Sequence, residues 1–484
     1  MHRCLGLLLL SSYLLTSAAD PYTCNGVQTI NPPANISNAW FYPATWNDTL
    51  EPPQYAALQN CTWNFNVPKG YFAYFTLKAN TNNGAVLRMT DSVGYVTTYT
   101  SVSMEPFYVM DPSFKVELQS TTVGNLGLRV IWRQVPPFFP TTVLVKANGS
   151  PNAILSGQIG NGTVIEADKQ VSLLSFPPST GLTDVTPYMR LTQVYDGPNI
   201  TSKLLGNLWQ VMTSGNQLIS SGKHLSLHTL YQGAAVGNVI AQDYFNVRDI
   251  KTLKAVWCVL PNICQVSLDA RQGRSAAIRY SQAPFYVKSL SLPQTNKLSV
   301  FTDFVTDAHK LAEYTSDSAK TNIPQKFSSL FTTFVLDQDQ AVIQLSSTPS
   351  DSKWAQAFEG RRGFVVSSNY AVRGVGTQDF TDQVLGNKKY NISYTVQNSG
   401  IFDDAKLHVT IFDGSNTVVD NVYSKTNFPA GPVYATGDNI LVDYKGNGAN
   451  TTGAFVTFGF DKYNSAGTLS FLTAIITALW MALC

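Results

Sequence analysis

The sequence predicts an all-β protein made of several antiparallel β-sandwiches in tandem, and three observations carry that expectation. Short alternating segments dominated by β-branched and aromatic residues recur about every 8–14 residues between Gly, Asn, Asp and Pro. Charged residues are 13% of the chain, apolar residues 44% and aromatics 12%, which suits packed cores and excludes a disordered, self-repelling chain. Both ends of the 484 residues read as processing signals. The roughly 445 residues between them suffice for three to four domains of about 100–150 residues.

The strands stand out in chain order. Tyr71–Leu77, Leu126–Trp132, Met189–Tyr195, Phe364–Val366 and Leu407–Phe412 have strand composition and are bounded by turn residues. One stretch departs from the pattern: Phe301, Phe304, Val305, Ala308, Leu311 and Ala312 follow a helical period, which predicts a helix over 303–314. Boundaries fall at Val135-Pro136-Pro137, near Val247 to Leu253, and at Ser346 to Ser350. The expected domains are 20–135, 138–250, 253–346 and 351–463, between a signal peptide at 1–19 and an anchor signal at 464–484. No tandem copy is obvious. One echo exists, an apolar strand ending in Asp-Gly, at Val194-Tyr195-Asp196-Gly197 and again at Ile411-Phe412-Asp413-Gly414.

The ends set the expected compartment. Arg3, the apolar run Cys4 to Leu15 and the small-residue site Ser17-Ala18-Ala19 read as a secretory signal, making Asp20 the first mature residue. Lys462 is the last charged residue, and the tail from Leu469 to Cys484 is mostly apolar without a basic flank. Small residues Asn464-Ser465-Ala466-Gly467 before that tail read as a glycosylphosphatidylinositol (GPI) anchor signal, with the lipid on Asn464 or Ser465. The spacer is shorter than usual. A tail-anchored single span and a simply secreted chain are the alternatives. Localisation is therefore expected on the extracellular face of the plasma membrane or outside the cell.

With Cys4 and Cys484 in the end segments, Cys24, Cys61, Cys258 and Cys264 remain. In an oxidising compartment they predict two disulfides with three possible connectivities. The local pairing, Cys24–Cys61 with Cys258–Cys264, is preferred. The spacings and the lack of a nearby His argue against zinc. Eight sequons, at Asn35, Asn47, Asn60, Asn148, Asn161, Asn199, Asn391 and Asn450, predict N-glycosylation.

A family resemblance is carried by Trp40 to Asn47, Pro52-Pro53-Gln54-Tyr55, Asn60-Cys61-Thr62-Trp63, Val67-Pro68-Lys69-Gly70-Tyr71 and Ile131-Trp132. Residues 21–134 resemble the nematode CUB-like domain. The second segment is similar to a CUB module through Val194 to Pro198, Leu204-Leu205-Gly206 and Ser220 to Leu225, and the fourth through Phe412 to Ser415 and Gly453-Ala454-Phe455. The third segment, 253–346, matches least. The resemblance implies jelly-roll-like sandwiches, an extracellular or surface-anchored protein without enzymatic activity, and a role in innate defence. It also implies, for many CUB modules, a calcium site whose Asp lies six residues before the Asp of the Asp-Gly turn. Here those positions are Arg190 and Leu407, which are not oxygen ligands, so that site is not expected and no metal or cofactor is assigned.

Other chemistry is sparse. His224 and His228 look like a metal pair, but their neighbours alternate like a strand, where i and i+4 lie about 13 Å apart. Two solvent-facing histidines are expected instead. His309 and His408 have no ligand or nucleophile beside them in sequence. There is no G-x-S-x-G, H-E-x-x-H or P-loop. Asp337 and Asp339 can share a strand face, the pair Arg361-Arg362 reads as solvated, and Gly446 to Asn450 reads as a loop. A net charge of +2 without a basic run gives no case for nucleic acid. Among Trp40, Tyr42, Trp46 and Tyr55, core packing is the expected role, except that Trp46 adjoins the Asn47 sequon and is the candidate ligand-binding residue. The expected function is binding of a protein or carbohydrate, including microbial surfaces. A structural or adhesive coat glycoprotein is the alternative, followed by a secreted hydrolase with its catalytic segment at 253–346.

Overall fold

A computed structural model describes residues 21–24, 26–81, 84–178, 183–231, 236–257, 264–368, 370–372, 379–397, 400–447 and 451–463. The signal segment, the proposed lipid sites Asn464 and Ser465, Cys258 and the Asn450 sequon lie outside the described residues. The chain forms two compact units, Met1–Pro137 and Phe138–Cys484.

In the first unit the strands are β1 (Val27–Ile30), β2 (Trp40–Tyr42), β3 (Gln54–Tyr55), β4 (Gln59–Asn66), β5 (Tyr71–Asn80), β6 (Ala85–Thr90), β7 (Val96–Tyr99), β8 (Ser101–Met110), β9 (Ser113–Ser120) and β10 (Gly124–Gln134). They form two facing sheets, β1-β4-β9-β6-β7 and β2-β10-β5-β8, with β3 beside β10. Period-2 alternation explains the pairing of faces: Cys61, Trp63 and Phe65 on β4 point inward and are almost fully buried. They meet Phe75, Phe114, Leu128 and Trp132 in one core. β1 runs parallel to β4, and the Cys24–Cys61 disulfide ties the segment before β1 to β4 with a Cα–Cα distance of 5.9 Å. A cross-link closing this loop stabilises the fold by about 4 kcal/mol on the chain-entropy account.

The second unit opens with two more sandwiches. One contains β11 (Thr141–Val145), β12 (Asn152–Ile154), β13 (Thr163–Ala167), β14 (Val171–Phe176), β15 (Thr192–Asp196), β16 (Lys203–Asn207), β17 (Leu218–Ile219), β18 (His224–Thr229) and β19 (Asn238–Asp243). The next contains β20 (Thr252–Ala255), β21 (Cys264–Asp269), β22 (Ser275–Tyr280), β23 (Phe285–Ser291), β24 (Leu298–Thr302), β25 (Lys310–Tyr314), β26 (Gln325–Phe327), β27 (Phe331–Leu336) and β28 (Gln340–Ser346). Their sheets are β11-β13-β18-β15-β16 with β12-β19-β14-β17, and β20-β22-β27-β24-β25 with β21-β28-β23-β26. Strand for strand, and leaving the short β3 aside, both repeat the order of the first unit. Each begins with a parallel pair, β1 with β4, β11 with β13 and β20 with β22. The segment that resembles a CUB module least in sequence therefore has the same topology as the first.

The remaining strands are β29 (Arg361–Val366), β30 (Phe380–Val396), β31 (Lys406–Asp413), β32 (Asn416–Tyr423), β33 (Val433–Lys445) and β34 (Phe455–Lys462). A fourth CUB-like sandwich is the sequence expectation here. The structure has instead one six-stranded antiparallel sheet, β29-β34-β30-β33-β31-β32. The Ile411-Phe412-Asp413-Gly414 echo is the turn of its β31–β32 hairpin, with Gly414 at φ +58°. A register shift between Leu385 and Tyr390 interrupts the long strand β30, and inward residues on both sides of it, Val384, Ile392 and Tyr394, share one core.

These layers of the second unit are packed onto one another. Leu174, Phe176 and Ile240 on the outer face of the β14–β19 sheet meet Ile278, Phe301, Phe331 and Val335 on the outer face of the β22–β27 sheet. Val247, Ile250 and Leu253, on the boundary expected from sequence, fill the same layer. β14, β19 and β27 are accordingly buried on both faces along their whole length. Phe364, Val366 and Phe455 of the last sheet complete the core of the third sandwich, and Lys326 pairs with Asp382 at 2.5 Å with both side chains about nine-tenths buried.

The helix expected over 303–314 is absent. Strand β24 ends at Thr302, a single turn spans Asp307–His309, and β25 begins at Lys310. The apolar spacing serves two cores: Phe301 and Val305 face the layer between sandwiches, and Leu311 and Ala312 face the interior of the third.

Because Ile240 sits in the shared layer, Ile240→Ala should cost about 2–5 kcal/mol. Calorimetry of the intact protein should show the transition of the third sandwich moving down together with that of the second. A shift confined to one sandwich would contradict the shared layer.

Candidate functional site

The repeated topology places an aspartate at one recurring position, the end of the strand that opens the β6–β7, β15–β16 and β24–β25 hairpins. Asp91, Asp196 and Asp303 occupy it. In the first two copies the carboxylate accepts backbone amides of its own sandwich. Asp91 Oδ1 accepts from the amides of Val93 at 3.0 Å and Tyr95 at 2.8 Å, and Asp196 Oδ1 accepts from the Ser221 amide at 2.9 Å.

The third copy differs. Asp303 adopts φ +59° and is only 5% exposed. Its Oδ2 accepts a 2.7 Å hydrogen bond from the Ser150 hydroxyl, which comes from the β11–β12 loop of the preceding sandwich. The His309 Nδ1 stands 3.7 Å from the same oxygen, and the imidazole packs on the Phe304 ring at 4.3 Å between centroids. Among the described residues no Lys or Arg pairs with Asp303. Burial pushes the carboxyl above its ordinary range, and the Ser150 hydrogen bond and His309 oppose that rise. Burial also holds the imidazole below its ordinary value, against the opposing pull of Asp303 and of a backbone hydrogen bond to Thr302.

Asp303 and Ser150 line a cleft of about 280 Å³ where three layers of the second unit meet. Ser150, Pro151, Asn152 and Ala153 form one wall, Tyr280, Leu330 and Phe331 a second, and Ser368 and Val372 the rim. The order hydroxyl–carboxylate–imidazole matters chemically. A serine nucleophile needs the imidazole next to its hydroxyl. Here the hydroxyl is committed to the carboxylate, so the arrangement holds a charge and does not activate an oxygen.

The residues singled out from sequence fall elsewhere. Trp46 is 4% exposed, its Nε1 donates to the Leu50 carbonyl at 3.1 Å, and its ring lies against Gly127, where a Cβ would come within 2.7 Å. It offers no ring face to a ligand, so the expectation of a binding role for Trp46 is corrected to core packing. Tyr55 is fully buried, and Trp40 and Tyr42 are half-buried against the same core. His228 is also buried, edge-on to Phe138 at 5.4 Å, and does not face solvent as expected. His408 reaches across to Asp420 on the neighbouring strand. Arg361 is not solvated: it is fully buried with its guanidinium 4.8 Å from the centre of the Trp354 ring. Arg190 is buried over Trp209 at 4.0 Å, Leu407 lies in the core of the last sheet, and Asp337 pairs with Arg274 at 2.8 Å. Among the described residues no three His, Cys, Asp or Glu side chains gather as a metal site. Cys24 and Cys61 are joined, and Cys264 is disulfide-bonded. Asn35, Asn47, Asn60, Asn148, Asn199 and Asn391 are exposed, and Asn161 is half-buried.

Sequence reasoning missed Asp303. The signal was available as a third strand ending in aspartate, Val300-Phe301-Thr302-Asp303, without the glycine that marks the other echo.

Comparison with known proteins gives a family match for the first unit. Residues 19–136 match the CUB-like domain family, so the chain carries a CUB-like domain. Residues 144–230 and 245–348 match two families described only as domains of unknown function, DUF7592 and DUF7591. No curated protein matches the chain. Among solved structures, the CUB1-EGF-CUB2 domains of rat MASP-1 align at 10% identity and TM-score 0.19, covering 45% of this chain and 99% of that one. The CUB1-EGF-CUB2 domain of human MASP-1/3 aligns at 9% identity and TM-score 0.17, covering 42% and 95%. Tripeptidyl peptidase 2 aligns at 8% identity and TM-score 0.19, covering 87% of this chain and 27% of that one. Similarity at these scores carries no inference about activity. No described helix is long and apolar enough to cross a membrane.

Two outcomes test the placements. Trp46→Ala should destabilise the first unit by about 3–5 kcal/mol in a denaturant titration, as loss of a core aromatic does. For His309, whose folded value is lowered, the stabilising contribution is full above about pH 6.5 and is lost as pH falls through the folded value. The His309 contribution to the melting temperature of the second unit should therefore drop on going from pH 7 to pH 5, with the raised Asp303 carboxyl acting in the opposite direction. His309→Gln should flatten that drop.

Proposed function

We propose that this protein is a non-enzymatic extracellular glycoprotein that uses its stacked sandwiches to bind a protein or carbohydrate ligand, in innate defence against microbes. The observation that carries this reading is the threefold use of one sandwich topology beginning with the CUB-like domain. Such a scaffold repeats its core while leaving the end loops free to differ, and loops on a rigid scaffold are where binding residues accumulate. Six exposed sequon asparagines support a glycosylated surface. The Ser150–Asp303–His309 order weighs against the hydrolase alternative. The apolar tail supports a lipid anchor at Asn464 or Ser465, with secretion as the other route to the same compartment.

The test is a screen of the glycosylated ectodomain, Asp20 to Tyr463, against intact bacteria, fungal walls and host surface extracts. Saturable binding to a microbial surface is expected. Binding to host material alone would replace the defence reading by an adhesive or coat role. Release of the full-length protein from cells by phosphatidylinositol-specific phospholipase C is expected if the anchor is lipid, and full retention in a sensitive cell type would count against it.

A further inference from the structure

We propose that the Asp303 cleft is a metal-free binding site for a primary ammonium group carried on a compact apolar body. The cleft is large enough for such a body, at about 280 Å³, and its walls are supplied by Pro151, Ala153, Tyr280, Leu330 and Phe331. These side chains offer apolar contact but no charge. The one acidic group among the lining residues is Asp303, 95% buried by its 5% exposure, with no permanent cation beside it among the described residues.

A buried carboxylate in this state has unspent attraction for a cation, because low-dielectric surroundings strengthen the pairing and penalise the isolated charge. The geometry selects the kind of cation. Oδ2 already accepts from Ser150 and faces His309, while Oδ1 has no hydrogen-bond partner among the described residues. A guanidinium is best held by two free carboxylate oxygens in a parallel fork, and only one is open here. An ammonium is a point charge and can use one oxygen. A divalent metal would need several oxygen ligands, and only one carboxylate lines the cleft. Burial acts on both groups, raising the carboxyl and lowering the imidazole, and their mutual attraction only opposes it. The site requires the second sandwich as well as the third, because Ser150 and Pro151 come from one and Asp303 from the other.

This inference goes beyond the surface-binding reading and is separable from it, since a small-molecule probe needs no microbial surface. The experiment is calorimetric titration of the intact secreted protein at pH 7.5 with benzylamine, with uncharged benzyl alcohol and with calcium chloride. Saturable benzylamine binding is expected, at least tenfold tighter than benzyl alcohol, with no calcium binding that displaces it. Asp303→Asn should weaken benzylamine at least tenfold and leave benzyl alcohol unchanged. Leu330→Trp fills the mouth of the cleft from a position 42% exposed and leaves the carboxylate intact, so it keeps the test decisive if Asp303→Asn does not fold. It should abolish binding of both organic probes. Equal affinity for the two, displacement by calcium, undiminished binding in Leu330→Trp, or no benzylamine binding at millimolar concentration would each overturn the proposal.

Discussion

The apolar layer between the second and third sandwiches is the contact on which the rest of the second unit depends. An isolated two-sheet sandwich needs one inward face per sheet, and its outer faces are polar. Here the outer faces of two sheets are apolar and press together through Leu174, Ile240, Ile278, Phe331 and Val335. Each fully buried aliphatic side chain of this kind is worth about 1.5–3 kcal/mol relative to exposure. Ile250 and Leu253, which join the two sandwiches in sequence, are buried in the same layer. The link between the domains is therefore part of a core and not a free tether.

That layer explains which parts of the fold were legible. In the first unit β4 is covered on one face, so it alternates cleanly and its strand character can be read from Cys61, Trp63 and Phe65. In the second unit β14, β19 and β27 are buried on both faces, and alternation disappears. The same double burial produced the false helical period at 303–314: residues facing two different cores fell by chance on a spacing of three and four. The threefold repeat was hidden for a related reason. Topology is held by which faces are apolar, and that leaves the identity of almost every residue free.

The candidate site was illegible for a different reason. Trp46 looked exposed because it neighbours a sequon, yet Asn47 and Trp46 point to opposite sides of the chain: Asn47 is exposed and Trp46 lies on Gly127. A side chain adjacent in sequence to a solvated one says nothing about its own direction. Asp303 was invisible because its sequence role, ending a strand before a turn, is the role Asp91 and Asp196 fulfil with amides of their own sandwiches. What changes the chemistry of the third copy is a residue more than a hundred positions away, Ser150.

The contrast among the three aspartates can be taken one step further. Asp91 and Asp196 are partly solvated and accept backbone amides, so their charge is compensated where they stand. Packing a neighbouring sandwich over the third removes water from Asp303 and replaces it with one hydroxyl and one imidazole that burial keeps poorly charged. Stacking the copies thus converts a turn-forming residue into a buried, under-compensated carboxylate. Its cost is borne by the apolar layer beside it, to which Phe301, two residues before Asp303, contributes. A fold that repeats one hairpin can in this way acquire a site without any new motif, at the copy whose turn is covered by the preceding sandwich.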